Sequence, residues 1–182
     1  MEGMEEAEIV ERYIILLLGA ADEPIPTAIH VQKELFALAK ANPRMGDFIR
    51  FEKHNFGPYS TEVSDSSKHP VFHPDAYRMD RSSGLQLTAE GKRIYQSLIK
   101  ENSSKPRFNE LLAMMRMVRR LYDGLTVDEL LLLIYVTYGE YTERSRVSDS
   151  LLAPANRRRL AASLLRKGAI TEDRYAELVS QG

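Results

Sequence analysis

Apolar side chains in this sequence recur at helical spacing, and glycine, proline or a short polar stretch interrupts every run before it can grow long. From Glu5 to Leu18 the residues Ile9, Val10, Tyr13, Ile14 and Leu17 mark one face of a helix, closed by Gly19 and then Pro24 and Pro26. Thr27 is a natural N-cap for a second helix carrying Ala28, Val31, Leu35, Leu38 and Ala39, which Asn42-Pro43 ends. Such blocks point to a mainly α chain with little sheet.

The exceptions to helical spacing lie between residues 48 and 88. Phe48, Ile49 and Phe51 form an extended segment, and Gly57-Pro58 reads as an N-cap with proline at the first helical position, predicting a short helix over Tyr59–Lys68. After Pro70 and Pro74, Tyr77–Asp80 and Leu85–Thr88 flank Arg81-Ser82-Ser83-Gly84 as a β-hairpin, with the look of a wing. Thr88 caps a helix over Ala89–Glu101, and Asn102–Pro106 is the clearest linker. Beyond it, Phe108, Leu111, Leu112, Met115, Val118 and Tyr122 share a helical face. Thr126 and Glu129 form a capping box for a helix that is apolar nearly all round through Tyr138, and a helix pair, Ala155–Lys167 and Glu172–Ser180, completes the chain. The predicted architecture is a winged-helix-like N-terminal domain with a small β-hairpin (residues 1–102), followed by a C-terminal helical bundle of four helices (residues 106–182).

The two longest near-continuous apolar stretches, Tyr13–Ala21 and Leu130–Tyr138, are nine residues each, about half of what a membrane helix needs. The acidic start MEGMEEAEIVE is unlike a secretory signal, and the absence of Cys removes thiolate catalysis, disulfides and Cys-type zinc sites, so a cytoplasmic protein is expected. Net charge is −1, but residues 1–60 hold 6 basic and 10 acidic side chains while residues 111–182 hold 11 and 9. That gradient is too shallow for a dedicated DNA binder, so any nucleic-acid contact must rest on local patches. These are Arg78 and Arg81 on the wing, Arg116, Arg119 and Arg120 at i, i+3, i+4 spacing, and Arg157, Arg158 and Arg159. Arginines opposite an apolar stripe more often only solvate a helix.

The signatures of nucleotide-binding loops, serine hydrolases and zinc peptidases are absent, and acidic pairs such as Asp128/Glu129 and Glu172/Asp173 sit in first helical turns, where capping explains them. His54, His69 and His73, with Asp65 or Asp75, offer metal-ligand chemistry, but Pro70 and Pro74 prevent residues 69 to 73 from forming one helical turn, so no metal is expected. No catalytic residue and no cofactor is assigned, and the chain is read as a non-enzyme.

The most distinctive stretch runs from Phe51 to Ser60. Gly57 permits a tight turn there, Pro58 presets the backbone, and Phe56 and Tyr59 bracket it with two rings. On the residues alone this is a well-built corner, with Phe56 expected buried and Tyr59 expected exposed. Together with Val31-Gln32-Lys33-Glu34-Leu35-Phe36 and with Leu87-Thr88-Ala89-Glu90-Gly91 after the hairpin, it resembles the Panacea (SocA-like antitoxin) domains over roughly residues 8–101. Those domains pair a Gln-Lys-Leu-hydrophobic helix with a Gly-Pro-Tyr/Val turn, although the helix after the turn is here short and Ser-rich. The resemblance implies a non-catalytic antitoxin or adaptor that grips a protein partner, with Phe56, Gly57, Pro58 and Tyr59 as the partner-binding corner. The Leu-Thr-Ala-Glu-Gly run is also similar to that of winged-helix transcription regulators, which implies DNA binding instead. Apolar surface on Leu130–Tyr138, Leu164, Leu165, Tyr175 and Leu178 further suggests self-association as a homodimer, and no membrane partner is expected.

Overall fold

The computed structural model describes residues 2–181, with side chains described from Glu6 onward. In chain order the elements are α1 (Glu2–Gly19), α2 (Ala28–Ala41), α3 (Pro43–Gly46), β1 (Glu52–His54), β2 (Gly57–Tyr59) and α4 (Thr61–Lys68). Then come β3 (Tyr77–Asp80), β4 (Gly84–Leu87), α5 (Ala89–Asn102), α6 (Pro106–Tyr122), α7 (Val127–Thr137), a 3-10 turn (Gly139–Thr142), α8 (Ser148–Leu152), α9 (Pro154–Arg166) and α10 (Glu172–Ser180). The protein is mainly α with small antiparallel hairpins, as its apolar spacing predicts. No helix among the described residues is long and apolar enough to cross a membrane.

The chain divides into two compact units. The first takes the residues up to Phe51 together with Ser60–Asp123, and the second takes Glu52–Tyr59 together with residues from Gly124 onward. This division differs from the predicted one at residues 102 and 106. The linker is real, but α6 beyond it places Leu111, Leu112, Met115 and Val118 in the same core as Val10, Ile14 and Leu17 of α1 and Val31, Leu35 and Leu38 of α2. Burial of that apolar stripe, at about 25 cal/mol per Å², ties α6 to the first unit. The helices of the second unit are therefore α7 to α10.

Within the first unit, Ile25 lies between α1 and α2 as a one-residue strand. It exchanges two 2.9 Å backbone hydrogen bonds with Leu85 of β4. β3 and β4 pair with Tyr77 opposite Leu87 and Asp80 opposite Gly84. Gly84 has φ +83°, and a Cβ there would collide with the Ile25 carbonyl, so only glycine lets the wing approach that strand. Helix, short strand, helix, helix and hairpin, in that order, make the winged-helix topology expected from the sequence. Between its second and third helices this chain adds α3 and the β1–β2 hairpin.

In the second unit, Thr126 and Glu129 close the capping box of α7, whose Leu130, Leu131, Leu132, Ile134 and Tyr135 are buried. Leu160, Ala161 and Leu164 of α9 and Leu178 of α10 are buried too. Much of the apolar surface on which self-association was expected is therefore already covered, with Leu165 and Tyr175 half-buried.

Candidate partner-binding corner and charged surfaces

The sequence from Glu52 to Tyr59 forms a hairpin in which Glu52 faces Tyr59 and His54 faces Gly57, leaving Asn55 and Phe56 as the turn. Neither turn residue has a positive φ, whereas Gly57 sits at +76°. The primed two-residue turns are thus excluded, and the glycine takes the left-handed position that closes the loop. A Cβ on Gly57 would also press on the Tyr135 ring at 3.3 Å.

The predicted helix start is corrected by this hairpin. Gly57 and Pro58 belong to β2, and Ser60 is the N-cap of α4, its hydroxyl accepting from the Val63 N–H at 3.3 Å. A serine before Thr61-Glu62 is itself a strong cap signal, which the proline obscured. Ser60 is fixed from a second side by Gln32 on α2. The Gln32 amide donates to the Ser60 carbonyl and accepts from the Ser60 N–H, each at 2.9 Å.

The expected exposures of the two rings are reversed. Phe56 is 43% exposed, while Tyr59 is half-buried and stacks on His54 with ring centroids 4.7 Å apart. A turn residue at a hairpin tip has no neighbouring strand to cover it, whereas a strand residue has a cross-strand partner. Of the four corner residues, Gly57 and Pro58 are buried, so Phe56 is the large apolar group open to a partner.

The tip is held firmly. Lys53 Nζ pairs with Glu143 at 2.6 Å, and the Arg146 N–H donates to the Asn55 carbonyl at 2.9 Å. Ser145 Oγ lies 2.6 Å from the Tyr135 hydroxyl and 3.4 Å from the Asn55 carbonyl. Burial raises the Tyr135 phenol above its ordinary value, and the Ser145 hydrogen bond partly offsets this.

The basic residues named from sequence separate into two kinds. Arg78 and Arg81 on the wing, Arg116 and Arg120 on α6, and Arg158 and Arg159 on α9 are exposed, and Arg157 is half-buried. Arg119 is the correction, because it is 1% exposed and cannot meet a nucleic acid. Its guanidinium binds the Asp123 carboxylate at 2.9 Å and donates to the carbonyls of Leu17, Leu18 and Glu23, fastening the end of α1. On α6, position 119 follows Met115 and Val118 to the inner face, while positions 116 and 120 turn outward. At the wing tip, Asp80 accepts from the Ser82 hydroxyl at 2.6 Å and the Ser82 N–H at 2.8 Å, bonds that hold its carboxyl below the ordinary range.

On α4, Val63, Ser64, Ser66 and Ser67 turn inward and Thr61, Asp65 and Lys68 face solvent. Asp65 would repel DNA phosphates.

Three buried polar features escaped the sequence reading. Glu11 of α1 accepts from the N–H groups of Val71, Phe72 and His73 at 2.6, 3.0 and 2.7 Å, gathering the loop that carries two of the histidines. Lys33 and Glu34 are both buried on α2. Burial lowers the Lys33 ammonium to about 7. For Glu34, burial and then the Asp123 carboxylate push the acid well above its usual range, and Arg119, 3.8 Å away, only partly opposes them. A sequence signal existed for Glu11, which shares a face with Ile14, Ile15 and Leu18. No such signal marked Lys33 and Glu34, whose helix is covered nearly all round.

Among the described residues no group of three His, Cys, Asp or Glu side chains is placed to hold a metal ion. Compared with known proteins, the chain matches no family model and no curated protein.

Proposed function

We propose that this protein is a non-catalytic adaptor or regulator of the antitoxin-like type, which engages a protein partner through Phe56. One observation carries the reading. Phe56 is a large ring, 43% exposed, on a hairpin tip whose backbone is tied down through Asn55 and whose base is braced by the His54–Tyr59 stack. A rigid exposed aromatic loses little conformational entropy on binding, which is the character of an interface hot spot. The neighbouring Gly57, Pro58 and Tyr59 then position the anchor rather than supply contact area.

The test places a photo-crosslinking side chain at position 56 in the source cell and identifies the trapped protein. That partner, purified, should bind the Phe56→Ala chain about 30-fold more weakly, since truncating a hot spot costs about 2 kcal/mol. Equal binding by both chains removes the proposal.

The winged-helix topology, with Arg78 and Arg81 exposed on the wing, favours a second reading as a DNA-binding regulator. The exposed Asp65 on α4 opposes it. Binding of one duplex sequence in the nanomolar range at physiological salt would make this reading the better one, whereas weak, salt-sensitive binding to any duplex would leave the adaptor reading in place.

A further inference from the structure

Away from the hairpin, the first unit holds an open surface groove of about 600 Å³ lined by Arg44, Asn102, Ser104, Lys105, Pro106, Arg107 and Phe108. Arg44, Ser104, Lys105, Pro106 and Arg107 are exposed along it, and Asn102 and Phe108 are half-buried. Three of its lining residues are cations and none is an acid. Among the described residues, Arg44, Lys105 and Arg107 form no ion pair. Three like charges around one groove repel one another, and an anion between them would relieve that repulsion.

The groove wall is ordered by hydrogen bonds within the linker. Lys105 Nζ donates to Asn102 Oδ1 at 2.8 Å, Asn102 Nδ2 donates to the Leu98 carbonyl at 2.8 Å, and Asn109 Nδ2 donates to the Ser103 carbonyl at 3.0 Å. Arg44 stands on α3, whose first turn is capped by Asn42. The cations therefore project from braced backbone. Pro106 and the half-buried Phe108 supply an apolar side to the same space.

We propose that this groove binds a small organic phosphate carrying an apolar ring, the chemistry of a nucleoside phosphate. Guanidinium groups match phosphate oxygens in paired, charge-assisted hydrogen bonds, the Lys105 ammonium adds a point charge, and the ring lies against Pro106 and Phe108. The site is independent of Phe56 and of any protein partner, so its failure would leave the adaptor reading untouched.

The experiment is calorimetric titration of the full chain with ADP, inorganic pyrophosphate and adenosine, at about 50 mM and about 300 mM salt to expose the ionic share of binding. ADP should bind once per chain and weaken at the higher salt, pyrophosphate should bind several-fold more weakly, and adenosine should give no measurable heat. Arg107→Gln and Lys105→Gln should each weaken ADP by about ten-fold, the loss expected for one charged hydrogen bond. Arg107→Lys should fall between the parent and Arg107→Gln, because the charge stays while the paired hydrogen bonds are lost, and Lys92→Gln, on an exposed lysine of α5, should change nothing. Melting curves matching the parent chain confirm that the variants fold. Absence of saturable ADP binding overturns the proposal, as does an Arg107→Gln chain that binds like the parent or a Lys92→Gln chain that loses as much. Pyrophosphate binding as tightly as ADP overturns the role given to the ring.

Discussion

Gln32 and Ser60 exchange two hydrogen bonds of 2.9 Å, so that one amide side chain satisfies both the N–H and the carbonyl of the residue that caps α4. The two residues stand 28 positions apart and are both buried. The bond pair joins the Gln-Lys segment of α2 to the end of the Gly-Pro-Tyr-Ser stretch. Gln32→Ala should cost about 1–3 kcal/mol, because the buried Ser60 N–H loses its acceptor while the Ser60 carbonyl keeps only the Ser64 N–H at 3.1 Å. Gln32→Glu keeps the acceptor for Ser60 N–H but, once ionised, has no donor for the carbonyl, so it should also destabilise. Denaturant unfolding decides, and a loss below about 0.5 kcal/mol for Gln32→Ala would mean that water replaces the amide freely.

Buried Glu34 and Lys33 make stability depend on pH in opposite senses. The folded state holds the Glu34 proton more tightly than the unfolded chain does, so its contribution is complete below the ordinary value of 4.5 and fades as pH rises through the raised folded value. Glu34→Gln should therefore gain stability relative to the parent as pH increases. Lys33 has a folded value lowered to about 7 from 10.5, so its contribution is present above 10.5 and is lost as pH falls through about 7. Lys33→Met should flatten the rise between those limits. Unfolding curves for both variants across that range test the pair, and slopes parallel to the parent would refute the burial argument.

Glu11 acts as the anchor of the loop after α4. Glu11→Ala leaves the N–H groups of Val71, Phe72 and His73 without their acceptor. Hydrogen exchange at those three amides should accelerate by about ten-fold or more, while the core amides of α2 slow or quicken only with global stability. Unchanged exchange at 71–73 would show that the carboxylate is not what protects them.

The corner should separate stability from recognition. Phe56→Ala removes a ring already 43% in solvent and should shift unfolding by less than about 1 kcal/mol. Gly57→Ala meets both the positive φ and the Tyr135 ring, and should cost more, about 1–3 kcal/mol. Thermal melts of the two proteins would contradict this if Phe56→Ala proved the more damaging.

Helices with an unbroken apolar stripe, such as α1, α6 and α7, were legible in the sequence because burial of one face imposes its period on the residues. The wing was legible too, through its turn residues. Residues 52–60 were not, because Gly-Pro serves equally well before a helix and inside a short edge strand, and only the pairing of Glu52 with Tyr59 distinguishes them. The exposure of Phe56 followed from that missed pairing. Arg119 was misassigned for a different reason: arginines at i, i+3 and i+4 share a face only loosely, and a shift of one position moved the middle one onto the inner side of α6. Gln32, Lys33 and Glu34 fall outside the apolar stripe of α2, yet all three are buried, Gln32 through hydrogen bonds to a residue 28 positions away that no local pattern reveals.

The hairpin's place in the second unit has a consequence for biosynthesis. The chain leaves the first unit after Phe51, returns at Ser60 and departs again after Asp123. On the ribosome, residues 52–59 therefore emerge well before the 3-10 turn and the Ser145–Arg146 segment that grip them, and they must wait as an ungripped loop while the residues between Tyr59 and Gly139 are made. No single cut of the backbone yields both units whole. A fragment ending at the linker carries the corner without its supports, and a fragment beginning at Gly124 carries the supports with nothing to hold.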